Sequence, residues 1–320
     1  MSMLGNPLFL LNPYSGKGKA NQISSIYSTF FKSNIKLESK TKNYFMYNAF
    51  IEDLLSINGL NNIWFWMIFG GDGTVNEIIQ STYFNIIEIK NIALVPTGTG
   101  NGLAKNLGLD YVGNSRKKNE KQLTKLINSI HTDKTKEIPL WNVFCNDKKK
   151  NRISLLAQTY GVVSDLSLWK PKYKWLEHFR FVLSSLYYTF FPIYYSCVIE
   201  FEDEKGELLL AEADNLLWFC ALNQPYICQE LQLVPTDKYS EEFLHLFFID
   251  RKINFWKRCK VIRALCKNRF SELDFVEYYR VKSYSLNTNK KGTIMIDGEV
   301  MDTKHIKVTN TGDTVRFYRI

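Results

Sequence analysis

Along the first hundred residues, short apolar runs alternate with glycine-rich polar segments and then with helical stripes. Pro7-Leu8-Phe9-Leu10-Leu11 reads as a strand, Asn12 to Lys19 as a loop, and a helix runs from about Ala20 to Phe31. Ile63 to Phe69 is uninterruptedly apolar, as a fully buried strand is, and Val75, Ile78 and Ile79 beyond it suit one face of a short helix. Asn91 to Val95 repeats the pattern, followed by Pro96 to Gly102 and a helix opened by Leu103, Ala104 and Leu107. Three strand–loop–helix units imply a parallel sheet whose loops gather at the C-terminal strand ends, where ligands bind in open α/β folds.

The pattern changes further on. Arg116 to Lys136 is polar and helical, with Leu123, Leu126, Ile127 and Ile130 as its apolar stripe. From Trp141 strands dominate: Ile153 to Ala157, Ser196 to Phe201, Asn215 to Leu222, Leu244 to Ile249, Lys282 to Leu286, Thr293 to Ile296 and Thr314 to Arg319. One helix, about Phe255 to Asn268, interrupts them. The fold class is therefore an α/β N-terminal domain with a parallel sheet, residues 1–140, joined to a C-terminal antiparallel β-sandwich domain, residues 141–320.

Phe181 to Ile199 holds no charge over a nearly membrane-spanning length, but Pro192 splits it and its tyrosines and serines make it polar. A helix to Phe191 followed by a strand from Ile193 fits better. Phe179, Val182, Leu183, Leu186 and Phe190 share one helical face, read as core packing; Phe181, Ser185 and Tyr188 form another.

Composition changes the picture only modestly. Forty-five per cent hydrophobic and 15 per cent aromatic residues exclude disorder. The six cysteines have neither paired nor metal-ligand spacing, so reduced thiols are expected. The first residues are too short and polar for a signal peptide, which points to the cytoplasm. The +9 charge suits an anionic membrane surface. It is scattered over runs such as Lys148 to Lys150, and no nucleic-acid motif accompanies it, so no nucleic-acid partner is expected.

The glycine loops carry the candidate chemistry. Gly70-Gly71-Asp72-Gly73-Thr74-Val75-Asn76-Glu77 places one carboxylate between a core strand and a helix start. A helix N-terminus presents N–H groups and a positive dipole end to phosphate. An aspartate there can hold Mg²⁺ or accept a hydroxyl proton. Gly16-Lys17-Gly18-Lys19 lacks the P-loop spacing, and no dinucleotide fingerprint is present.

These three loops together resemble the diacylglycerol kinase catalytic domain superfamily. NAD kinases share a similar turn, but Asn76-Glu77 and Thr97-Gly98-Thr99-Gly100-Asn101 resemble the lipid kinase branch. Leu155 to Asp165, Tyr173, Leu176, Phe179 to Phe181, Leu244 to Phe248 and Asp297-Gly298-Glu299 are similar to sphingosine kinases. The resemblance implies an ATP- and Mg²⁺-dependent enzyme with its active site in a cleft between two domains. It acts on a lipid alcohol, a sphingoid base or diacylglycerol, and associates peripherally with membranes. By the same resemblance Asp72 is the general base or Mg²⁺ ligand. Nucleotide contacts fall to Asn12, Ser15, Gly16, Lys17, Thr41, Gly71, Gly73, Thr74, Thr97, Gly98, Thr99, Gly100 and Asn101, with Lys174, Arg180, Gly298 and Glu299 from the second domain. Asp165, Ser167, Phe181 and Leu244 fall to the lipid.

From the residues alone, Arg180 reads first as a helix-surface arginine, and Asp297-Gly298 as a hairpin turn. One position departs from the family. Sphingosine kinases carry a second acid two residues after the one at Asp165; this chain has Ser167. Serine cannot pair with an ammonium as a carboxylate does, which keeps diacylglycerol as an alternative substrate. A catalytically silent lipid- or nucleotide-binding protein is the alternative from another class; Asp72 beside a complete second loop argues against it.

Overall fold

A computed structural model describes residues 6–15, 20–28, 31, 35–41, 48–57, 62–98, 101–110, 116–146, 150–168, 180–288 and 292–320. The chain divides into two units: Met1–Ile138 with Asp313–Ile320, and Pro139–Gly312.

The first unit is built on β1 (Asn6–Leu11), α1 (Ala20–Ser28), β2 (Ile35–Glu38), α2 (Asn48–Leu55), β3 (Ile63–Gly70), α3 (Asp72–Phe84), β4 (Asn91–Pro96), α4 (Gly102–Asn106) and α5 (Arg116–His131). The four strands pair in parallel in the order β4-β3-β1-β2. Their apolar runs follow from this: Leu8, Leu10, Met67, Ile68, Phe69, Ile92, Ala93 and Val95 are buried on both faces of the sheet. Phe9, Tyr27, Phe31 and Phe65 fill the space around Phe69 and β1 with edge and tilted ring contacts. Because β1, β3 and β4 are neighbours, the three loops that leave their C-terminal ends start side by side. The strand order reverses at β1, which puts a topological switch point between the loops after β1 and β3.

The second unit holds β5 (Thr135–Cys145), in which the chain crosses the unit boundary, then β6 (Lys150–Ser154), β7 (Ala157–Gly161), α6 (Val162–Leu168), α7 (Arg180–Phe190), β8 (Tyr195–Asp203), β9 (Leu208–Leu222), β10 (Tyr226–Cys228) and β11 (Leu231–Gln232). It continues through β12 (Leu244–Asp250), α8 (Phe255–Cys266), β13 (Glu277–Thr288), β14 (Ile294–Ile296), β15 (Glu299–Met301) and β16 (His305–Tyr318). Pairing is antiparallel, β15-β14-β7-β9-β12-β13, and β8 bridges β9 and β13. The ladders β9, β12, β13 and β8 thus form a ring. The two layers of a sandwich are joined along the long strands β9 and β13, with register shifts at Tyr195/Cys197 and Val281/Ser283. Phe219, Phe247, Leu246, Tyr284, Leu286 and Ile199 fill the interior.

Two sequence expectations are corrected here. The last residues, assigned by their strand pattern to the second domain, return to the first unit: Asp313–Ile320 belongs there, with Phe317 paired in parallel to Ile92. The stripe on α7 does not pack into a core: Leu186 is 47% and Phe190 59% exposed, while Ser184 and Thr189 are buried. Arg258 of α8 donates from Nε to the Thr189 carbonyl at 2.8 Å, so the small polar side of α7 faces its neighbours. The residues around Asp165 form the helix α6.

Candidate functional site

The loops after β1, β3 and β4 are tied together by their own groups. Asn12 donates its backbone N–H to the Phe69 carbonyl at 3.0 Å, and Thr97 donates to the Gly70 carbonyl at 3.0 Å. The Asn12 side chain, buried, donates from Nδ2 to Thr74 Oγ1 at 2.8 Å and accepts from the Tyr14 N–H at 3.0 Å. Ser15 closes the same turn through its N–H on the Asn12 carbonyl at 3.1 Å. Asn101, at φ 31 in the left-handed region, donates from Nδ2 to the Gly98 carbonyl at 2.6 Å.

Two glycines are required by this packing. A Cβ on Gly98 would stand 2.5 Å from the Gly71 Cα, so the β3 and β4 loops approach more closely than any side chain allows. Gly73 is different: a Cβ there would meet nothing within 4 Å. Open space therefore lies over the first turn of α3, a helix whose N-cap, Gly71, brings no side chain to its leading amides.

Asp72 starts α3 but points across to α4. Its carboxylate accepts from the Gly102 N–H at 2.6 Å and the Leu103 N–H at 3.1 Å. The two amide donors fix its position. A carboxylate is an acceptor that can face a cation or a hydroxyl. Close by, Thr97 Oγ1 and Asn101 Oδ1 are buried without a hydrogen-bond partner. Orphaned polar atoms of this kind cost free energy unless a ligand or water supplies the partner. The Thr97 hydroxyl can donate to an oxyanion such as phosphate, whereas Asn101 Oδ1 can only accept and suits a donor or a cation. Among the described residues no group of three or more His, Cys, Asp or Glu side chains gathers to hold a metal unaided.

The fold thus assembles Asn12, Ser15, Gly71, Asp72, Gly73, Thr74, Thr97, Gly98 and Asn101. Gly16, Lys17, Thr99, Gly100 and Lys174 lie outside the described residues, as do the side chains of Arg180 and Phe181. Thr41 is exposed, its carbonyl accepting from Ser39 Oγ. In the second unit Asp297 and Gly298, at φ 49 and 84, form the two-residue hairpin between β14 and β15. The Asp297 carboxylate is spent there: it accepts from Ser154 Oγ and from the N–H groups of Leu155, Leu156 and Ala157, at 2.8 to 2.9 Å. Glu299 pairs with Arg152. Leu244 is fully buried in β12.

Asp165 is partly exposed on α6. Tyr195 Oη donates to its carboxylate, which Tyr188 also hydrogen-bonds. Burial raises the Asp165 pKa, and the two phenols partly oppose that rise. Ser167 lies two residues on in the same helix, so it projects from another side, and its Oγ donates to the Val163 carbonyl at 3.3 Å. Sequence reasoning missed Tyr188 and Tyr195. Nothing local marks them, since each reaches Asp165 from its own element.

Residues 6–140 match the Diacylglycerol kinase catalytic domain family. The match covers somewhat under half of the chain, and the fold agrees with it. Two solved structures, a diacylglycerol kinase and a putative diacylglycerol kinase from Bacillus anthracis str. Sterne, superimpose with TM-scores of 0.64 and 0.68 at 15% identity, over 100% of this chain and 98% and 99% of theirs. The chain is also similar to curated sphingosine kinases. It is 23% identical to sphingosine kinase 1 of Caenorhabditis elegans over 98% of this chain and 81% of that protein. It is 21% identical to sphingosine kinase 1 of Homo sapiens over 94% and 87%. A sphingoid long chain base kinase 4 of Schizosaccharomyces pombe is 20% identical over 91% and 70%.

Proposed function

We propose that this protein is an ATP- and Mg²⁺-dependent lipid kinase that phosphorylates the primary hydroxyl of a sphingoid base. The observation that carries the reading is the joined loop pair: Asp72 locked by the amides of Gly102 and Leu103, beside the orphaned Thr97 and Asn101 oxygens and the open first turn of α3. The leading amides of α3 and the Thr97 hydroxyl can donate to a phosphoryl group, while Asp72 and the Asn101 oxygen can face a cation or a donor; positioning of this kind is most of what phosphoryl transfer requires. Asn12, Thr74, Thr97 and Asn101 would hold the nucleotide. Asp72 would hold Mg²⁺ together with the phosphates, the usual partners of a cation that keeps few protein ligands. The ion, when bound, supplies neutralisation of developing phosphate charge. Asp72 is also the group that could accept the lipid hydroxyl proton.

The sphingoid base is favoured by likeness to sphingosine kinases and by Asp165, a partly buried carboxylate suited to an ammonium. A diacylglycerol kinase-like specificity is the second reading. Ser167, turned back onto the Val163 carbonyl, supplies no second charge. Peripheral membrane association is supported by one surface of the second unit. Leu186, Tyr187, Phe190 and Phe191 are exposed at the end of α7, and Trp256 on α8 is 73% exposed. Lys260, Arg263 and Lys267 are exposed farther along α8. Aromatics beside cations suit an anionic bilayer surface. No described helix is long and apolar enough to cross a membrane.

Incubation of the pure protein with labelled ATP, Mg²⁺ and a panel of lipids in mixed micelles tests the reading. Labelled sphingoid base phosphate is the expected product. Label in diacylglycerol alone would support the second reading, and ATP turnover with no lipid labelled would remove both.

A further inference from the structure

The second unit contains a cluster that phosphate chemistry does not use. Asp165 on α6 is held by Tyr195 from the start of β8 and by Tyr188 from α7. Tyr160 on β7 packs against Tyr195 with ring centroids 5.5 Å apart and planes at 63°. Gly292, at φ 93, closes over both rings. A Cβ there would lie 2.7 Å from Tyr160 Cε2 and 2.8 Å from Tyr195 Cδ1. Tyr188 and Tyr195 thus reach the Asp165 carboxylate from separate elements, and Gly292 and the Thr288 side chain back the Tyr160 ring behind them.

Exposure divides the cluster. Tyr195 is 4% exposed, whereas Asp165 and Tyr188 are only partly buried. Burial pushes all three phenols above their ordinary range, so each keeps its proton and carries acceptor lone pairs as well. A partly buried carboxylate gripped from the protein side by one phenol, with a second phenol at its accessible side, is a place for a donor-rich group. The position where a second acid would stand is occupied by Ser167, whose hydroxyl is committed to its own helix.

We propose that Tyr195 and Tyr188 set the head-group specificity of this kinase. Tyr195 is the positioning residue that fixes the Asp165 carboxylate, and Tyr188 supplies the second acceptor for the lipid ammonium in place of the missing acid. The inference rests on the reading that Asp165 meets the lipid head group. An ammonium carries three N–H donors and no acceptor, so a carboxylate oxygen and a phenol oxygen satisfy it better than a carboxylate alone. A neutral glycerol hydroxyl brings no charge to Asp165 and gains less from the arrangement.

The test compares the full chain with Tyr195→Phe and Tyr188→Phe on sphingosine and on a diacylglycerol, both presented in the same micelles. KM for each lipid, kcat and KM for ATP are measured, with melting temperature as a check on folding. Each variant is expected to raise the sphingosine KM about tenfold, the cost of one hydrogen bond to a charged group. kcat, the ATP KM and the diacylglycerol rate should stay within about twofold of the parent. Asp165→Asn should erase the preference between the lipids. Tyr188→Phe, at a partly exposed site, keeps the test valid if Tyr195→Phe unfolds. An equal fall on both lipids, or a lower melting temperature with the sphingosine KM unmoved, would make the cluster a packing feature and overturn the proposal. A parent protein that phosphorylates neither lipid overturns the lipid kinase reading itself. One that phosphorylates sphingosine while both variants keep its KM overturns only the role of the tyrosines.

Discussion

The loop site of the first unit and the tyrosine cluster of the second are built from opposite materials. The first uses backbone: amides of Gly102 and Leu103 grip Asp72, carbonyls of Phe69 and Gly70 receive the neighbouring loops, and glycine lets Gly71 and Gly98 touch. The second uses side chains: Tyr188, Tyr195 and Tyr160 converge around Asp165 from separate elements. Backbone chemistry is the same at every residue, so it needs only the right local conformation, and that is written in glycine spacing. Side-chain chemistry depends on which distant strands and helices meet.

The comparison breaks most sharply at Asp72. Asp72→Asn should leave the fold intact and lower lipid phosphorylation by ~10²–10⁴-fold, since an amide neither accepts the proton nor holds Mg²⁺ as well. A radiolabel assay beside a melting curve checks both halves. Turnover within a few-fold of the parent would remove Asp72 from the chemistry.

A side-chain-built region should answer to pH where a backbone-built one does not. His245 is fully buried between Tyr239 and Tyr278, hydrogen-bonded to Tyr278 Oη at 2.9 Å and to Ser240. Burial holds its pKa down at about 4, against an ordinary value of 6.5. The unfolded chain therefore takes the proton first. The stability linked to this group is intact above about pH 6.5 and drains away as pH falls toward about 4, by on the order of 3 kcal/mol. Urea midpoints at pH 7 and pH 4.5 should differ accordingly, and the difference should shrink in His245→Gln.

Smaller effects separate the two uses of glycine. Gly98→Ala, forced against the Gly71 Cα, should cost about 1–3 kcal/mol by denaturant unfolding. Gly73→Ala, facing open space, should leave stability within about 0.5 kcal/mol. If the open first turn of α3 receives phosphate, Gly73→Ala should nevertheless weaken ATP binding in calorimetry. Unchanged affinity would confine that space to solvent.

The smallest stability effect is expected at the exposed aromatics. Phe190→Ser and Trp256→Ser should change melting by about a degree or less, because both side chains already face solvent. Sedimentation with phosphatidylserine vesicles should still fall. Equal sedimentation would assign that face another role.

Much of the first unit was legible in the sequence. An apolar strand, a glycine turn and a helix stripe are each local, and β1, β3 and β4 fall within a residue or two of their expected ends. The short elements β2 and α2 left too little periodicity to be read. Asp72 stood out because its glycine neighbours exposed it. What the sequence could not show is that its carboxylate caps α4, some thirty residues on. In the second unit single strands were legible but their closure was not. The ring through β8 and the return of Phe317 to Ile92 depend on pairings between strands remote in the chain.

The α7 stripe marks the same boundary between local and global. Leu186 and Phe190 have the spacing of a core face, yet spacing says only that residues share a side, not what covers that side. The sequence by itself determined the local conformations, the glycine loops and the identity of the groups that can meet phosphate. Tertiary structure alone decided which carboxylates are free for chemistry. Asp297 is consumed by the amides of Leu155, Leu156 and Ala157, and Glu299 by Arg152, while Asp165 is shared with two phenols. The reason is physical: a carboxylate's role is set by the donors around it, and those donors are brought by packing rather than by neighbours in the chain.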